Sequence, residues 1–125
     1  MAEFNEELNV YDLRFLMKRG VSLSPPLWKT LNAVLELKKV TAEDLARHTK
    51  RPRTIESRYL IELNRLGLVA RKRISRKVYY YEVETAVREA LQELGELPPE
   101  RIAHYLSLPA DIVRIVLSKV KGSES

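Results

Sequence analysis

The stretch from Thr41 to Val83 carries the pattern that most constrains the fold of this chain. A short amphipathic segment ends at Lys50-Arg51-Pro52, and a longer amphipathic segment follows it as far as Gly67. Two runs rich in Val, Ile and Tyr come next, on either side of Ser75-Arg76-Lys77. Proline disfavours helical backbone in the residue before it, and glycine commonly ends helices. The pattern therefore predicts the order helix, turn, helix, strand, strand.

The first of these helices has a clear start signal. Thr41 is suited to cap a helix from Ala42 to about Thr49, because its hydroxyl can accept a hydrogen bond from the backbone N–H near Asp44. The second helix is predicted from Arg53 to about Leu66. Its inward side is expected to consist of Ile55, Tyr59, Leu60, Leu63 and Leu66, which recur at helical spacing.

The two β runs, Leu68 to Ile74 and Val78 to Val83, predict a hairpin with a cationic tip. Three tyrosines fall in the second run. Alternate residues of a strand face opposite sides, so Tyr79 and Tyr81 are expected to pack and Tyr80 is the better candidate for contact with a partner. The fold class predicted is mainly α with a small β-hairpin, an α+β arrangement.

Helices are also predicted on both sides of this pattern. Residues 1–24 are expected to form an amphipathic dimerisation arm, with a helix from Asn9 to Arg19 that Asn9 caps. Residues 25–84 form the central domain, whose first helix starts at Ser24-Pro25 and runs to about Lys39. Residues 85–121 are predicted as C-terminal helices for dimerisation or packing, and residues 122–125 as a disordered tail. The C-terminal helices are expected at Thr85 to Leu94, Pro99 to Leu106 and Pro109 to about Lys121.

The apolar surface of the last predicted helix is too wide for a helix that packs with one side and exposes the other to water. Its apolar residues are Ile112, Val113, Ile115, Val116, Leu117 and Val120. Such a surface must be covered, and we favour a second copy of the chain over the alternative of packing within the same chain. Residues 102–113 also have the form of a second helix-turn-helix, but this wide apolar surface makes them unconvincing as a DNA reader.

Positive charge is concentrated in the middle of the chain. Eleven of the 22 Lys and Arg lie between Arg47 and Lys77, where Glu56 and Glu62 are the acids present, although the net charge of the whole chain is only +5. Segregation of this kind indicates a polyanionic partner rather than a general compositional bias.

The segments Val40 to Arg47 and Leu60 to Val69, followed by a basic hairpin, resemble the winged helix-turn-helix family, in particular its MarR-like and ArsR-like transcription regulators. The resemblance covers about half of the chain, from Pro26 to Val83. It implies that the helix beginning at Arg53 enters the major groove and that a wing at residues 73–78 lies on the minor groove or the backbone. The geometry of duplex DNA agrees, because a helix fits the major groove and its first turn approaches most closely.

The predicted function is therefore that of a sequence-specific, double-stranded DNA-binding transcription regulator. Arginine pairs with guanine, hydroxyls serve bases or phosphates, Glu56 would accept from cytosine, and the wing cations suit phosphates or a narrow minor groove. The predicted contact residues are Arg47, Lys50, Arg51, Arg53, Thr54, Glu56, Ser57, Arg58, Arg73, Ser75, Arg76 and Lys77. A homodimer would present two recognition helices about 34 Å apart.

Other classes of function find little support. The chain has no Cys, two His and four Gly, so we expect no catalytic site, no structural metal and no cofactor. No stretch approaches the roughly 18 apolar residues of a membrane span, and a soluble cytoplasmic protein is expected. A small-molecule effector is possible, but the sequence does not indicate one. Two alternatives stay open, namely a DNA-organising protein with little sequence preference and a winged-helix protein-interaction module of transcription or replication machinery.

Overall fold

The computed structural model describes residues 10–123. It is mostly helical with a small antiparallel sheet, an α+β winged-helix fold in which α2, β1, α3, α4, β2 and β3 form the winged unit. Within residues 10–123 the elements are α1 Leu13–Lys18, α2 Pro25–Leu37, β1 Lys39–Val40, α3 Ala42–Thr49, α4 Arg53–Arg65, β2 Ala70–Ile74, β3 Lys77–Tyr81, α5 Val83–Leu94, α6 Pro99–Leu106 and α7 Ala110–Ser123.

The predicted start of α3 is confirmed. The Thr41 hydroxyl accepts from the backbone N–H of Asp44 at 3.1 Å, and the Asp44 carboxylate accepts from the backbone N–H of Thr41 at the same distance, which completes a capping box. The hydrogen bond from Thr41 holds the pKa of Asp44 below its ordinary value, and the nearby charges of Arg47 and Lys77 act in the same direction. Lys50 ends α3 in the left-handed conformation, with φ 61°.

The hairpin is also confirmed, with a tighter tip than predicted. Arg73 pairs with Val78 and Ile74 with Lys77, so the turn consists of Ser75 and Arg76, with Ser75 at φ 59°. Lys77 therefore belongs to β3. The short strand β1 was not predicted; it adds to the other edge of β3, where Lys39 pairs with Tyr81.

The sheet lies between two apolar clusters, which decides where the three tyrosines point. Tyr81 and the partly buried Tyr79 face the cluster formed with α5, α6 and α7, whereas Tyr80 faces the cluster formed by α2, α3 and α4. The predicted alternation is thus present, but the prediction of Tyr80 as an exposed contact was wrong. Its side chain is only 4% exposed because the helices of the winged unit cover that face of β3.

The apolar side of α7 is covered within the same chain. Ile112, Val113 and Val120 have no exposed surface and pack with Val87 of α5 and Ile102 of α6. The preferred interpretation, in which a second chain covers this surface, was therefore wrong, and the intramolecular alternative holds. Burial of this helix consequently gives no reason to expect a homodimer.

The described part of the N-terminal arm packs on its own chain as well. Tyr11 donates its hydroxyl hydrogen to the carbonyl oxygen of Leu68 at 2.7 Å and accepts from the backbone N–H of Val83 at 3.1 Å. Burial raises the pKa of this phenol well above its ordinary range. Helix α1 is shorter than the predicted helix, and Asn9, the predicted cap, lies outside the described residues. Dimerisation through residues 1–24 stays a prediction.

The ends of the C-terminal helices differ slightly from the prediction. Helix α5 begins at Val83, two residues early, because the Glu82 carboxylate caps it by accepting from the backbone N–H of Glu84 and Thr85. The boundary predicted at residue 84 therefore falls inside this helix. Helix α7 continues through Ser123, so the first two residues of the predicted tail are helical, and residues 124–125 lie outside the described range.

Residues 10–123 contain two helix-turn-helix segments whose turns begin in the same way. The turn between α6 and α7 begins with Ser107 at φ 56° and reaches Pro109 two residues later, as the turn after α3 begins with Lys50 and reaches Pro52. The side-chain amide of Asn64 donates to the carbonyl oxygen of Ser107 at 3.0 Å. This contact joins the second turn to the C-terminal end of α4, the end opposite Arg53.

Candidate nucleic-acid interface

The exposed cations of the candidate interface come from two parts of the winged unit, the helix-turn-helix and the hairpin. The predicted contact residues that are exposed are Arg47, Lys50, Arg53, Thr54, Arg58, Arg73, Ser75, Arg76 and Lys77, and Ser57 is half-buried. Those before Arg73 belong to α3, the turn or the first two turns of α4, and the others belong to the hairpin. Lys77 lies close enough to α3 to lower the pKa of Asp44, so the end of the hairpin lies near the helix-turn-helix.

Most of these cations have no acidic partner within residues 10–123. In that part of the chain, no ion pair involves the side chains of Lys50, Arg53, Arg58, Arg73, Arg76 or Lys77. Six like charges held on one unit repel one another, which an anionic ligand would relieve. Arg47 differs, because its guanidinium contacts Asp44 at 2.6 Å, but it is 73% exposed and such surface pairs are weak.

Glu56 does not belong to the exposed set. Its side chain has no exposed surface, and its carboxylate accepts from the hydroxyls of Thr30, at 2.7 Å, and Thr49, and from Nε of Arg51 at 2.8 Å. The prediction that Glu56 accepts a hydrogen bond from cytosine was therefore wrong. One turn into α4, its side chain points back toward α2 and the end of α3.

Arg51 is likewise directed inward, with a side chain only 19% exposed. Its Nη2 donates to the Thr30 hydroxyl oxygen at 2.6 Å, and its guanidinium lies 5.2 Å from the centre of the Tyr59 ring. The prediction of Arg51 as a DNA contact is accordingly replaced by a structural role. The carboxylate of Glu56 neutralises the charge of Arg51, so Arg51 adds little to the positive electrostatic potential at the protein surface.

Together these side chains form a buried polar network that joins α2, α3, the turn and α4. We call Thr30, Thr49, Arg51 and Glu56 the Glu56 network. Sequence reasoning missed Thr30 and Thr49, although Thr30 gave a signal because it lies on the same side of α2 as Leu27, Leu31 and Val34. A fully paired network in the interior holds its members in one arrangement, so the direction of α4 relative to α3 depends on it.

A second group of ion pairs anchors the base of the wing. Nζ of Lys72 donates to the Glu93 carboxylate at 2.6 Å, and the same oxygen accepts from the hydroxyl of Tyr105 at 2.9 Å. Burial alone would lower the pKa of Lys72, but the hydrogen bonds to Glu93 and Tyr105 outweigh it and raise that pKa. Lys72 is thus a cation that ties β2 to α5 and α6 and is not free for a ligand.

Within residues 10–123, no group of three or more His, Asp or Glu is arranged to hold a metal ion. Among the described helices, none is both long and apolar enough to cross a membrane.

The chain is similar to a protein of known sequence and to a solved structure. No family model matches the chain. Among solved structures, the crystal structure of AbfR of Staphylococcus epidermidis is similar with a TM-score of 0.44 and 16% identity, over 86% of this chain and 74% of that chain. An uncharacterized protein of Archaeoglobus fulgidus is 46% identical over 52 residues, which cover 42% of this chain and 70% of the archaeal protein. By this identity and coverage, the chain belongs to the same protein family as the Archaeoglobus fulgidus protein.

Proposed function

We propose that this protein binds double-stranded DNA in a sequence-specific manner and acts as a transcription regulator. Helix α4 would enter the major groove, and the wing at residues 73–78 would lie on the adjacent minor groove or the backbone. The observation that carries the proposal is the set of exposed cations at the start of α4 and at the end of the hairpin, which have no acidic partners within residues 10–123.

The first two turns of α4 have the composition expected of a helix that reads bases. Arg53, Thr54, Ser57 and Arg58 all lie outside the apolar cores and recur at helical spacing. Arginine can donate two hydrogen bonds to guanine, and the hydroxyls can serve a base edge or a phosphate. Within residues 10–123 this part of α4 is uncovered, since Arg53, Thr54 and Arg58 are exposed and the second helix-turn-helix packs on the other end of the helix.

The hairpin supplies the second point of attachment. Its two-residue turn leaves Arg76 at the tip, with Arg73 and Lys77 in the strands directly below. Their position on a short antiparallel ladder holds three charges within a few residues. Such a group suits phosphate oxygens or a narrow minor groove, where the negative potential is strongest. The anchoring of Lys72 to Glu93 supports this role, because it fixes the base of the wing.

The proposal requires only one chain. The apolar surface of α7 that suggested a homodimer is buried within this chain. A measurement of molecular mass would show whether the protein binds DNA as a dimer. A palindromic site with half-sites about one helical turn apart would be the signature of a dimer.

Selection of bound duplexes from a random pool tests the proposal and separates it from a DNA-organising role. A specific reader should enrich one site, which it prefers to random duplex by roughly 10³ or more. If the protein binds duplex but enriches no sequence, the organising role is the correct one. Failure to bind any duplex, together with a stable protein partner, would favour an interaction module.

A charge-matched pair of variants tests which surface binds. The triple variant Arg53→Gln, Arg73→Gln and Arg76→Gln should bind duplex far more weakly than the wild type. The control is Arg101→Gln, Arg114→Gln and Lys121→Gln, which removes the same charge from exposed positions on α6 and α7. It should bind nearly as tightly as the wild type, since only distant, screened charges are removed. Equal losses in both triple variants would show that only net charge matters.

A further inference from the structure

Ile61 is an exposed isoleucine on the helix that would enter the major groove. Its side chain is 54% exposed, although its neighbour Leu60 is fully buried. It lies seven residues after Thr54, four after Ser57 and three after Arg58, which are the spacings of residues on one helical face. Ile61 is therefore part of the same outward stripe as the polar residues proposed to contact DNA.

The position of Ile61 along α4 is within reach of the groove. Eight residues separate it from Arg53, which corresponds to about 12 Å along the helix axis. Successive base pairs are spaced by about 3.4 Å, so the stripe from Arg53 to Ile61 spans three to four base-pair steps. Of the other large apolar side chains exposed in the described residues, namely Met17, Leu37, Ile74 and Leu94, none lies on α4.

The major groove offers a specific apolar group that matches this side chain. The C5 methyl of thymine projects into the groove, whereas the other base edges there present mainly hydrogen-bond donors and acceptors. An isoleucine among Thr54, Ser57 and Arg58 cannot form hydrogen bonds and would leave polar base edges without partners. Contact with a thymine methyl removes apolar surface from water on both sides and leaves no polar group unpaired.

We propose that Ile61 packs against the C5 methyl of a thymine, so that the recognised duplex contains an A·T pair at this position. This inference rests on the proposed function and adds a specificity-determining residue to it. The guanine or phosphate contacts of Arg53 and Arg58 would lie on the neighbouring base pairs. Ile61 thereby distinguishes T from C at one position.

Replacement of single thymines by uracil tests the contact. Uracil pairs with adenine as thymine does but lacks the C5 methyl. Each thymine in the selected site is replaced in turn, and the dissociation constant is measured by fluorescence anisotropy. For the wild type, one of these replacements should weaken binding about fourfold, which corresponds to the roughly 0.8 kcal/mol of one buried methyl group.

Variants identify the side chain that senses the methyl. Ile61→Ala should bind thymine and uracil at that position with equal affinity, whereas Ile61→Val should retain most of the difference. Leu94→Ala removes an exposed apolar side chain from α5 and serves as the control that keeps the full difference. Circular dichroism of each variant confirms that it is folded.

Several outcomes would overturn the inference, and they differ from those that overturn the proposed function. A wild type that binds a selected site with no loss at any uracil refutes the thymine contact and leaves DNA recognition intact. The same holds if Ile61→Ala keeps the fourfold difference, since another residue would then sense the methyl. Absence of duplex binding, or of any enriched sequence, overturns the inference together with specific recognition.

Discussion

Replacement of Glu56 by alanine should destabilise the protein severely, although part of the same turn of α4 faces solvent. The variant removes a carboxylate with no exposed surface and leaves the Thr30 hydroxyl and the Arg51 guanidinium without their acceptor. Breaking a buried pair by removing one partner costs about 3–5 kcal/mol. Arg51 keeps some contact with water, so we expect a loss near the lower end, about 3 kcal/mol.

Urea unfolding followed by far-UV circular dichroism measures this loss as a shift in midpoint with an unchanged slope. The double variant Arg51→Met and Glu56→Leu is the matched control. It removes both charges together and fills the space with apolar groups, so it should lie within about 1.5 kcal/mol of the wild type. The difference between single and double variants isolates the pair from the simple loss of side-chain volume.

The double-mutant cycle also contains the result that would refute this reasoning. If Glu56→Ala costs less than about 1 kcal/mol, or if the losses of the single variants Arg51→Met and Glu56→Leu add up to that of the double variant, Glu56 and Arg51 do not act as a buried pair. The double variant has a second readout. A folded double variant with weakened DNA binding would support the inference that the Glu56 network sets the direction of α4.

Local geometry gives three further predictions. Gly67→Ala should destabilise the protein by more than about 1 kcal/mol, because φ is +80° and a Cβ would lie 2.9 Å from Cγ of Pro109. Gly20→Ala is the control, since Gly20 has a similar φ of +73° but open space around it. Its loss of stability measures the cost of the backbone conformation without the steric contact. Thr41→Ala should cost about 1 kcal/mol in urea unfolding through loss of the helix cap. The pKa of Asp44 is lower in the folded chain than its ordinary value of 3.8, so the carboxylate stabilises the fold above that pH. This contribution disappears as the pH falls through the folded pKa, and Asp44→Asn should flatten that part of the curve of stability against pH.

Features set by neighbouring residues could be predicted from the sequence. The cap at Thr41, the break before Pro52 and the hairpin around Ser75 depend on interactions within a few positions, and the structure contains all three. The exposure of the cations could be predicted for a similar reason, because charged side chains stay in water unless an oppositely charged partner is present.

Features set by distant elements could not be predicted in the same way. The burial of Glu56 depends on Thr30, which lies 26 residues away on α2. From the sequence alone, an acidic residue in the first turn of a basic helix is expected to be exposed. The strand β1 has two residues, too few for a periodic pattern. Coverage of α7 depends on how α5 and α6 pack. The sequence of an apolar helix does not indicate whether the same chain or a second copy covers it.

The salt dependence of duplex binding tests the central proposal most directly. If the exposed cations of α4 and the wing neutralise six to eight phosphates, log K should fall linearly with log salt concentration at a slope of about −5 to −7. The triple variant Arg53→Gln, Arg73→Gln and Arg76→Gln should reduce the steepness by up to about 3, because each arginine that neutralises a phosphate in the wild type accounts for about one unit of slope. A wild-type slope near zero, or a slope that the triple variant leaves unchanged, would contradict the account.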